Sequence, residues 1–153
     1  MLEGAAANEA PSREPESGQA DVSATPTMEG ALEEDPIVQF VVVRRDLLKT
    51  MEWPVGSVIA QACHACLAVV HQNINDPDVQ AYLAPESIDS MHKVIKECKG
   101  EPQLRTLAEK LAADNICHKL WMEQPENIPT AIALKPYPRS RVAPLLKKYQ
   151  LFR

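Results

Sequence analysis

The sequence lacks any long apolar run. No stretch approaches about 18 consecutive uncharged apolar residues, and the first residues contain no apolar signal segment. We therefore expect no membrane partner and a cytoplasmic location. Cysteine is also scarce, with four residues, Cys63, Cys66, Cys98 and Cys117, all inside segments with the pattern of regular structure. This usage predicts free, buried thiols in a reducing compartment and argues against disulfides.

The chain also lacks an excess of basic charge, with 16 Lys and Arg against 21 Asp and Glu and a formal net charge of -5. Residues 1–35 hold nine acids and one base, so this segment carries -8 and the remainder carries +3. The segment has no aromatic residue and no sustained apolar period, and it cannot bury enough surface to offset its ordering entropy. The sequence predicts a disordered acidic tail, 1–35, and one mildly basic domain, 36–153, whose charge alone does not indicate nucleic-acid binding.

The hydrophobic pattern of the domain predicts an α/β fold. A nearly continuous β-branched run, residues 37–43, is typical of a strand buried on both faces. The other predicted elements are strands 91–98, 116–122 and 130–134 and helices 58–72, 76–83, 100–115 and 140–149. The order β-α-α-β-α-β-β-α predicts a three-layer α-β-α sandwich around a four-stranded mixed sheet. On the first long helix, which Ser57 would cap, the predicted core face is Ile59, Cys63, Cys66, Leu67 and Val70.

Polar residues cluster where the first strand ends and the first long helix begins. They are Arg44, Arg45, Asp46, Gly56, Ser57, Gln61 and His64. In α/β sheets, ligands bind beyond the carboxyl ends of strands, and the free amides of a helix N-terminus attract an anion. Gln61 and His64 are spaced i, i+3 and share a helix face, with Ser57 one turn before Gln61. The pattern predicts a site for a phosphate or an oxyanion, although spacing alone also allows His64 to be a buried structural histidine.

The same residues resemble the hallmark of the type 2 peptidyl-tRNA hydrolase family. The run Val43-Arg44-Arg45-Asp46-Leu47 is similar to the family segment V-V-R-x-D-L, and the run from Gly56 to Ala65 is similar to G-K-x-x-A-Q-x-x-H-A. The resemblance covers roughly residues 37–153, and segments 130–134 and 151–153 resemble the family's last strand and terminal strand-like tail. It implies hydrolysis of the ester that joins a peptide to the 3′ ribose of tRNA, with peptidyl-tRNA as partner and without a metal or other cofactor.

The resemblance also implies residue roles. Catalytic roles fall on Gln61, His64, Thr130 and Glu123, tRNA-binding roles on Arg44, Lys49 and Ser57, and structural roles on Asp46 and Gly56. Three departures accompany it. Ser57 stands where the family has lysine, about four extra residues including Lys49 precede Gly56, and a shorter loop, residues 123–129, replaces the one that carries the family's aspartate. Glu123 or Gln124 falls nearest that aspartate, but a shift of one residue in a strand turns a side chain to the opposite face.

Alternatives stay open at this point. The chain is either an active hydrolase or an RNA-binding module that kept the fold and lost the hydrolytic charges, which Ser57 and the shortened loop favour. Thr130 is either a site residue or a β-former at a strand start. A metal site is a third alternative, from Cys63, His64, Cys66, Cys98, Cys117 and His118. It is the weaker one, because Cys63 and Cys66 lie within a helix and not on a knuckle turn. The fold's relatives also imply a homodimer, but the sequence identifies no interface.

Overall fold

The computed structural model describes residues 35–153, and the predicted acidic tail lies outside the described residues except for Asp35. The strands are β1 (Ile37–Arg44), β2 (His92–Cys98), β3 (His118–Glu123), β4 (Ile128–Leu134), β5 (Tyr137–Pro138) and β6 (Gln150–Leu151). The helices are α1 (Asp46–Lys49), α2 (Val55–Gln72), α3 (Pro77–Tyr82), α4 (Glu101–Ala113) and α5 (Arg139–Val142), with 3₁₀ turns at Ile88–Ser90 and Ala143–Leu146. The α/β class agrees with the prediction.

The mixed sheet has six strands, and the prediction of four was wrong. The strand order is β3-β4-β1-β2-β6, and β5 pairs with the first residues of β1. β1 and β2 are parallel, whereas β4 runs antiparallel to both β1 and β3. The two unpredicted strands, β5 and β6, have two residues each. These two segments are strands because they pair with the longer β1 and β2, and their own sequences carry no strand pattern.

Helices cover both faces of the sheet. Side chains of β1 alternate, so that Val38, Phe40 and Val42 join the core under α4, and Val41 and Val43 join the core under α1 and α2. The α4 core includes Leu104, Leu107, Leu111, Ile132, Leu134, Val142, Leu146 and Tyr149. The α2 core includes Leu47, Val58, Ala65, Val69, Ala131 and Ala133. β1 is therefore buried on both sides, as its continuous apolar run predicts.

Helix α2 differs from the prediction in its start and in its orientation. It begins at Val55 after Pro54, so Ser57 lies inside the first turn, and no side chain caps the helix. Its buried side chains are Val58, Gln61, Ala65 and Val69. Ile59 is 59% exposed and Leu67 is 71% exposed, so the predicted core face was wrong. The helix has no charged residue, and hydropathy therefore gives little contrast between its faces.

The same lack of charge gives α2 a further property. By length and composition alone, its 18 residues are apolar enough to cross a membrane, with a mean hydropathy of 1.3. In the fold it lies on the sheet, where it contacts β1, β3 and β4. The described chain has no other helix of this kind.

The connection after β1 and the end of the chain also depart from the prediction. The segment between β1 and α2, for which no helix or strand was predicted, contains the short helix α1. The last predicted helix, 140–149, is divided into α5 and the 3₁₀ turn Ala143–Leu146. Pro144 lies at the start of that turn, and its missing N–H cannot continue an α-helical hydrogen-bond ladder.

Candidate functional site

The predicted site residues gather at one edge of the sheet. β1 and β2 are parallel, and β3 runs in the same direction because it is antiparallel to β4, which is antiparallel to β1. The carboxyl ends of these three strands therefore lie at the edge where β4 begins. The chain passes from this end of β1 through α1 into α2. This is the edge at which α/β folds bind ligands.

Arg44, the last residue of β1, is buried at this edge, with 5% of its surface exposed, and it bonds to several neighbouring groups. Its Nε and Nη2 donate to the two carboxylate oxygens of Asp46 at 3.0 and 2.8 Å. Its Nη1 donates to the Pro129 carbonyl at 2.8 Å and to Glu101 Oε2 at 3.2 Å, and Nη2 also lies 3.8 Å from Met51 Sδ. The hydrogen bonds to Asp46 raise the pKa of Arg44 despite its burial. The sequence predicted that Arg44 binds tRNA, but its N–H groups are engaged inside the protein.

The two predicted structural residues differ in their surroundings. Asp46 holds Arg44, and its carbonyl accepts the amides of Thr50 and Met51 at 2.9 Å each. A side chain at Gly100 would come within 2.9 Å of Asp46 Oδ2, so the carboxylate requires a glycine opposite it. A side chain at Gly56, in contrast, would meet nothing within 4 Å. Gly56 thus leaves open space at the start of α2.

Gln61 and Thr130 form a buried pair that joins α2 to the sheet. The Thr130 hydroxyl donates to Gln61 Oε1 at 2.8 Å, and Gln61 Nε2 donates to the Ser57 carbonyl at 3.2 Å. Gln61 is 2% exposed and Thr130 is fully buried. The pair therefore fixes the first turns of α2 against β4.

A β-bulge explains why Thr130 reaches α2. Trp121 of β3 pairs with Ala131, but the next residue, Met122, pairs with Pro129, so Thr130 is the extra residue of β4. Ala131 already packs on the α2 side of the sheet. In a regular strand, Thr130 would therefore point to the α4 side. The bulge turns it to the α2 side, where it contacts Gln61.

His64, Trp121 and Glu123 form a second group beside this pair. The rings of His64 and Trp121 are stacked, with centroids 4.9 Å apart and planes inclined by 24°. The indole Nε1 of Trp121 donates to Glu123 Oε2 at 2.9 Å. His64 is exposed and Glu123 is half-buried. Both groups can therefore meet a ligand at the surface, and His64 is not a buried structural histidine.

The remaining predicted residues are exposed or dispersed. Lys49 and Ser57 are exposed near the start of α2, and Lys49 forms no ion pair within the described part of the chain. Gln124, the other residue near the family's aspartate, is exposed and donates to Asn127 Oδ1 at 3.2 Å within the turn. Among residues 35–153, no group of three or more His, Cys, Asp or Glu side chains is placed to hold a metal.

Sequence reasoning did not identify Trp121, Glu101 or Pro129 as parts of this edge. Trp121 and Glu123 are two residues apart on one strand, and this spacing was the available signal that they share a face. No such signal existed for Glu101 or for the Pro129 carbonyl. Both contact Arg44 although Glu101 is 57 residues and Pro129 is 85 residues away from it in the sequence.

Comparison with known proteins agrees with this geometry. Residues 37–152 match the family model described as "Peptidyl-tRNA hydrolase PTH2". The human and mouse proteins named "Putative peptidyl-tRNA hydrolase PTRHD1" are each 47% identical to this chain over 118 residues, which is 76% of this chain and 83% of each relative. The resemblance stated from the sequence is therefore confirmed. The chain belongs to the PTH2 family of peptidyl-tRNA hydrolases.

Proposed function

We propose that the protein hydrolyses the ester between a peptide and the 3′ ribose of tRNA. Family membership supports the class of reaction. The observation that carries the proposal is the buried hydrogen bond from Thr130 to Gln61, which ties the start of α2 to β4 beside His64 and Glu123. Both members of this bond match family positions, and the bond occurs at the sheet edge where ligands of α/β folds bind.

The chemistry requires water to attack the ester carbonyl, a base to accept the water proton, and a proton for the departing ribose oxygen. Glu123 and His64 are the groups in this set that reach the surface. One oxygen of Glu123 accepts the Trp121 indole N–H, which orients the carboxylate. We assign proton transfer to Glu123 and His64. Gln61 and Thr130, being buried, hold α2 in the position that this transfer needs.

The start of α2 supplies stabilisation for the developing oxyanion. The amides of Ser57 and Val58 bond to the Pro54 carbonyl at 2.9 and 3.2 Å, whereas those of Val55 and Gly56 have no backbone partner in the described structure. Free amides at the positive end of an 18-residue helix suit a negative oxygen. The open space beside Gly56 gives the substrate access to them.

One observation favours the second candidate, an RNA-binding module without hydrolysis. Ser57 places no positive charge at the position of the family lysine, and Arg44 is occupied by Asp46, Glu101 and Pro129. Removal of one electrostatic donor from such a site typically lowers the rate by about 10² to 10³. The exposed Lys49 of α1 is the cation that we assign to phosphate binding in its place.

An acyl-release assay tests the proposal. The full chain is incubated with an N-acetylated aminoacyl-tRNA, and release of the acyl group is followed against buffer. Glu123→Gln and His64→Ala should each lower the rate by about 10² to 10⁴. Glu126→Gln, which removes an exposed carboxylate from the same loop, is the matched control and should keep the rate.

Each outcome separates the two candidates. Release well above buffer that is lost in the Glu123 and His64 variants supports the hydrolase. Absence of release at enzyme excess, from protein that still binds tRNA, supports the binding module. Equal losses in the Glu123 and Glu126 variants would contradict the specific part assigned to Glu123.

The predicted cytoplasmic location and homodimer stay proposals. Val55 and Ile59 of α2, one turn apart, are 62% and 59% exposed, and this uncharged apolar patch is a surface that a second copy can cover. Light scattering on the full chain should give twice the monomer mass, and the Ile59→Glu variant should give the mass of one chain. A monomeric wild type would refute the homodimer.

A further inference from the structure

A groove of about 390 Å³ runs between α2 and β3, next to the candidate active site. It is lined by His64, Leu67, Ala68, His71 and Trp121. Its volume lies in the range of small-ligand sites, about 300 to 1,000 Å³. The groove begins at the stacked rings of His64 and Trp121 and follows α2 towards its C-terminal end.

The ring pair presents a flat aromatic surface at one end of this groove. One face of the His64 imidazole lies on Trp121, and because His64 is exposed, its outer face is open. The hydrogen bond from the Trp121 indole to Glu123 fixes the lower ring of the stack. A third planar ring can therefore extend an ordered stack, and Leu67, which is 71% exposed, provides an apolar wall beside it.

A lysine and a histidine follow the ring pair along β3 and α2. Lys119 precedes Trp121 by two residues on β3, so strand alternation puts it on the same face, about 7 Å further along. His71 lines the groove where α2 ends. The helix contributes no carboxylate. An aromatic platform with the Lys119 ammonium beyond it fits a nucleotide, whose base is planar and whose phosphate is negative.

We propose that His64 and Trp121 form a stacking platform for a purine base, and that the groove holds the terminal adenosine of the tRNA substrate. This inference rests on the proposed hydrolase function for the identity of the nucleotide. His64 lies three residues after Gln61, which is less than one helical turn, or about 4.5 Å along the axis. A base on His64 thus lies within one helical turn of the Gln61–Thr130 pair, and its ribose, which carries the ester, stays next to His64, one of the two residues assigned to proton transfer.

Adenosine 5′-monophosphate and ribose 5-phosphate are the probes that test the platform. They differ in the base, and each is titrated into the ¹⁵N-labelled full chain while the two tryptophan indole N–H signals are recorded. Adenosine monophosphate should shift the Trp121 signal in a saturable way and leave Trp53 unchanged. Ribose 5-phosphate should leave the Trp121 signal in place.

Two substitutions measure the contribution of the ring, and the backbone amide signals of the same titration give the affinities of these variants, which lack the Trp121 indole. Trp121→Leu removes the aromatic face but keeps apolar bulk, and it should weaken binding of adenosine monophosphate by roughly 5- to 150-fold. Trp121→Phe keeps an aromatic face and loses the bond to Glu123, so its binding should weaken less. Equal affinity of the wild type and the Trp121→Leu variant would overturn the proposal, and so would equal Trp121 shifts with the two probes.

The wild-type titration decides the question even if Trp121→Leu does not fold. It also separates this inference from the proposed function. Adenosine monophosphate that stacks on Trp121 in a protein without acyl release supports the platform, while the hydrolase proposal fails. Acyl release from a protein in which this nucleotide leaves Trp121 unmoved overturns the platform, while the hydrolase proposal stands.

Discussion

Replacing Arg44 with methionine tests whether this arginine stabilises the sheet edge or binds tRNA. The guanidinium donates to both oxygens of Asp46, to Glu101 and to the Pro129 carbonyl. Its loss removes the partner of the Asp46 carboxylate and of the Pro129 carbonyl, while Glu101 keeps Arg105. Methionine has a similar length and can fill much of the same space. The variant therefore changes the electrostatics of the edge more than its packing.

The expected destabilisation follows from the exposure of the partners. Loss of one member of a buried ion pair costs about 3 to 5 kcal/mol. The carboxylates of Asp46 and Glu101 keep 25% and 33% of their side-chain surface exposed, so water compensates in part. We expect a loss of about 3 kcal/mol in the free energy of unfolding. With a urea dependence of about 1 to 3 kcal/mol/M, the unfolding midpoint should fall by about 1 to 3 M.

Two measurements on the same proteins complete the test. Urea unfolding gives the midpoint, and tRNA binding at several salt concentrations gives the number of phosphate contacts. Lys49→Met is the matched control, because it removes the same charge from an exposed position on α1. It should change stability by less than about 0.5 kcal/mol and reduce the salt slope by about one. Arg44→Met should lower the midpoint and keep the slope.

An unchanged midpoint in Arg44→Met, or a salt slope that falls as it does for Lys49→Met, would refute this reasoning. Arg44→Lys covers the case in which the methionine variant does not fold. Lysine keeps the charge but cannot reproduce the planar fork, so it should be less stable than the wild type and more stable than Arg44→Met.

Further predictions concern other parts of the chain. Burial raises the pKa of the Cys98 thiol to about 11, so at pH 8 an alkylating reagent should modify the exposed Cys63 rapidly and Cys98 only after denaturation; equal rates in the native protein would contradict the assignment. Burial, the largest single effect, would raise the pKa of Asp76, but the hydrogen bond and the charge of Lys135 and the backbone N–H groups of Asp78 and Val79 together lower that pKa below its usual 3.8. A lowered pKa stabilises the fold above the unfolded value, so the stability advantage of the wild type over Lys135→Met should be full at pH 7 and shrink as the pH falls below about 4. A pH-independent difference in unfolding midpoint would exclude this linkage.

The long elements of the fold could be predicted from the sequence because their signals are local. The β-branched run of β1 and the apolar stripe of Leu104, Leu107 and Leu111 in α4 each fix a structure within one segment. β5 and β6 could not be predicted in this way. Their two residues become strands only by pairing with β1 and β2, which are far away in sequence.

The orientation of α2 shows a different limit. Its apolar residues surround the helix without a charge to mark the solvent side, and the buried face includes the polar Gln61. Hydropathy predicted burial for Leu67, which is 71% exposed, and gave no reason to bury an amide. What buries Gln61 is a partner, the Thr130 hydroxyl, which lies 69 residues away. Buried polar groups need such partners, and one chain segment cannot reveal them.

The shortened loop after β3 illustrates why the site itself resisted prediction. A one-residue displacement of the family's aspartate to Glu123 should turn the carboxylate to the wrong face of a regular sheet. In the structure Glu123 lies on the same face as Trp121, two residues before it, and bonds to its indole. The irregularity is in the neighbouring strand, where the bulge at Thr130 turns that hydroxyl to the same side. Alternation along β3 puts Glu123 on the face of Trp121, and the register between the two strands decides on which face Thr130 lies. Because register is a property of the pair, each strand's own sequence is compatible with either arrangement.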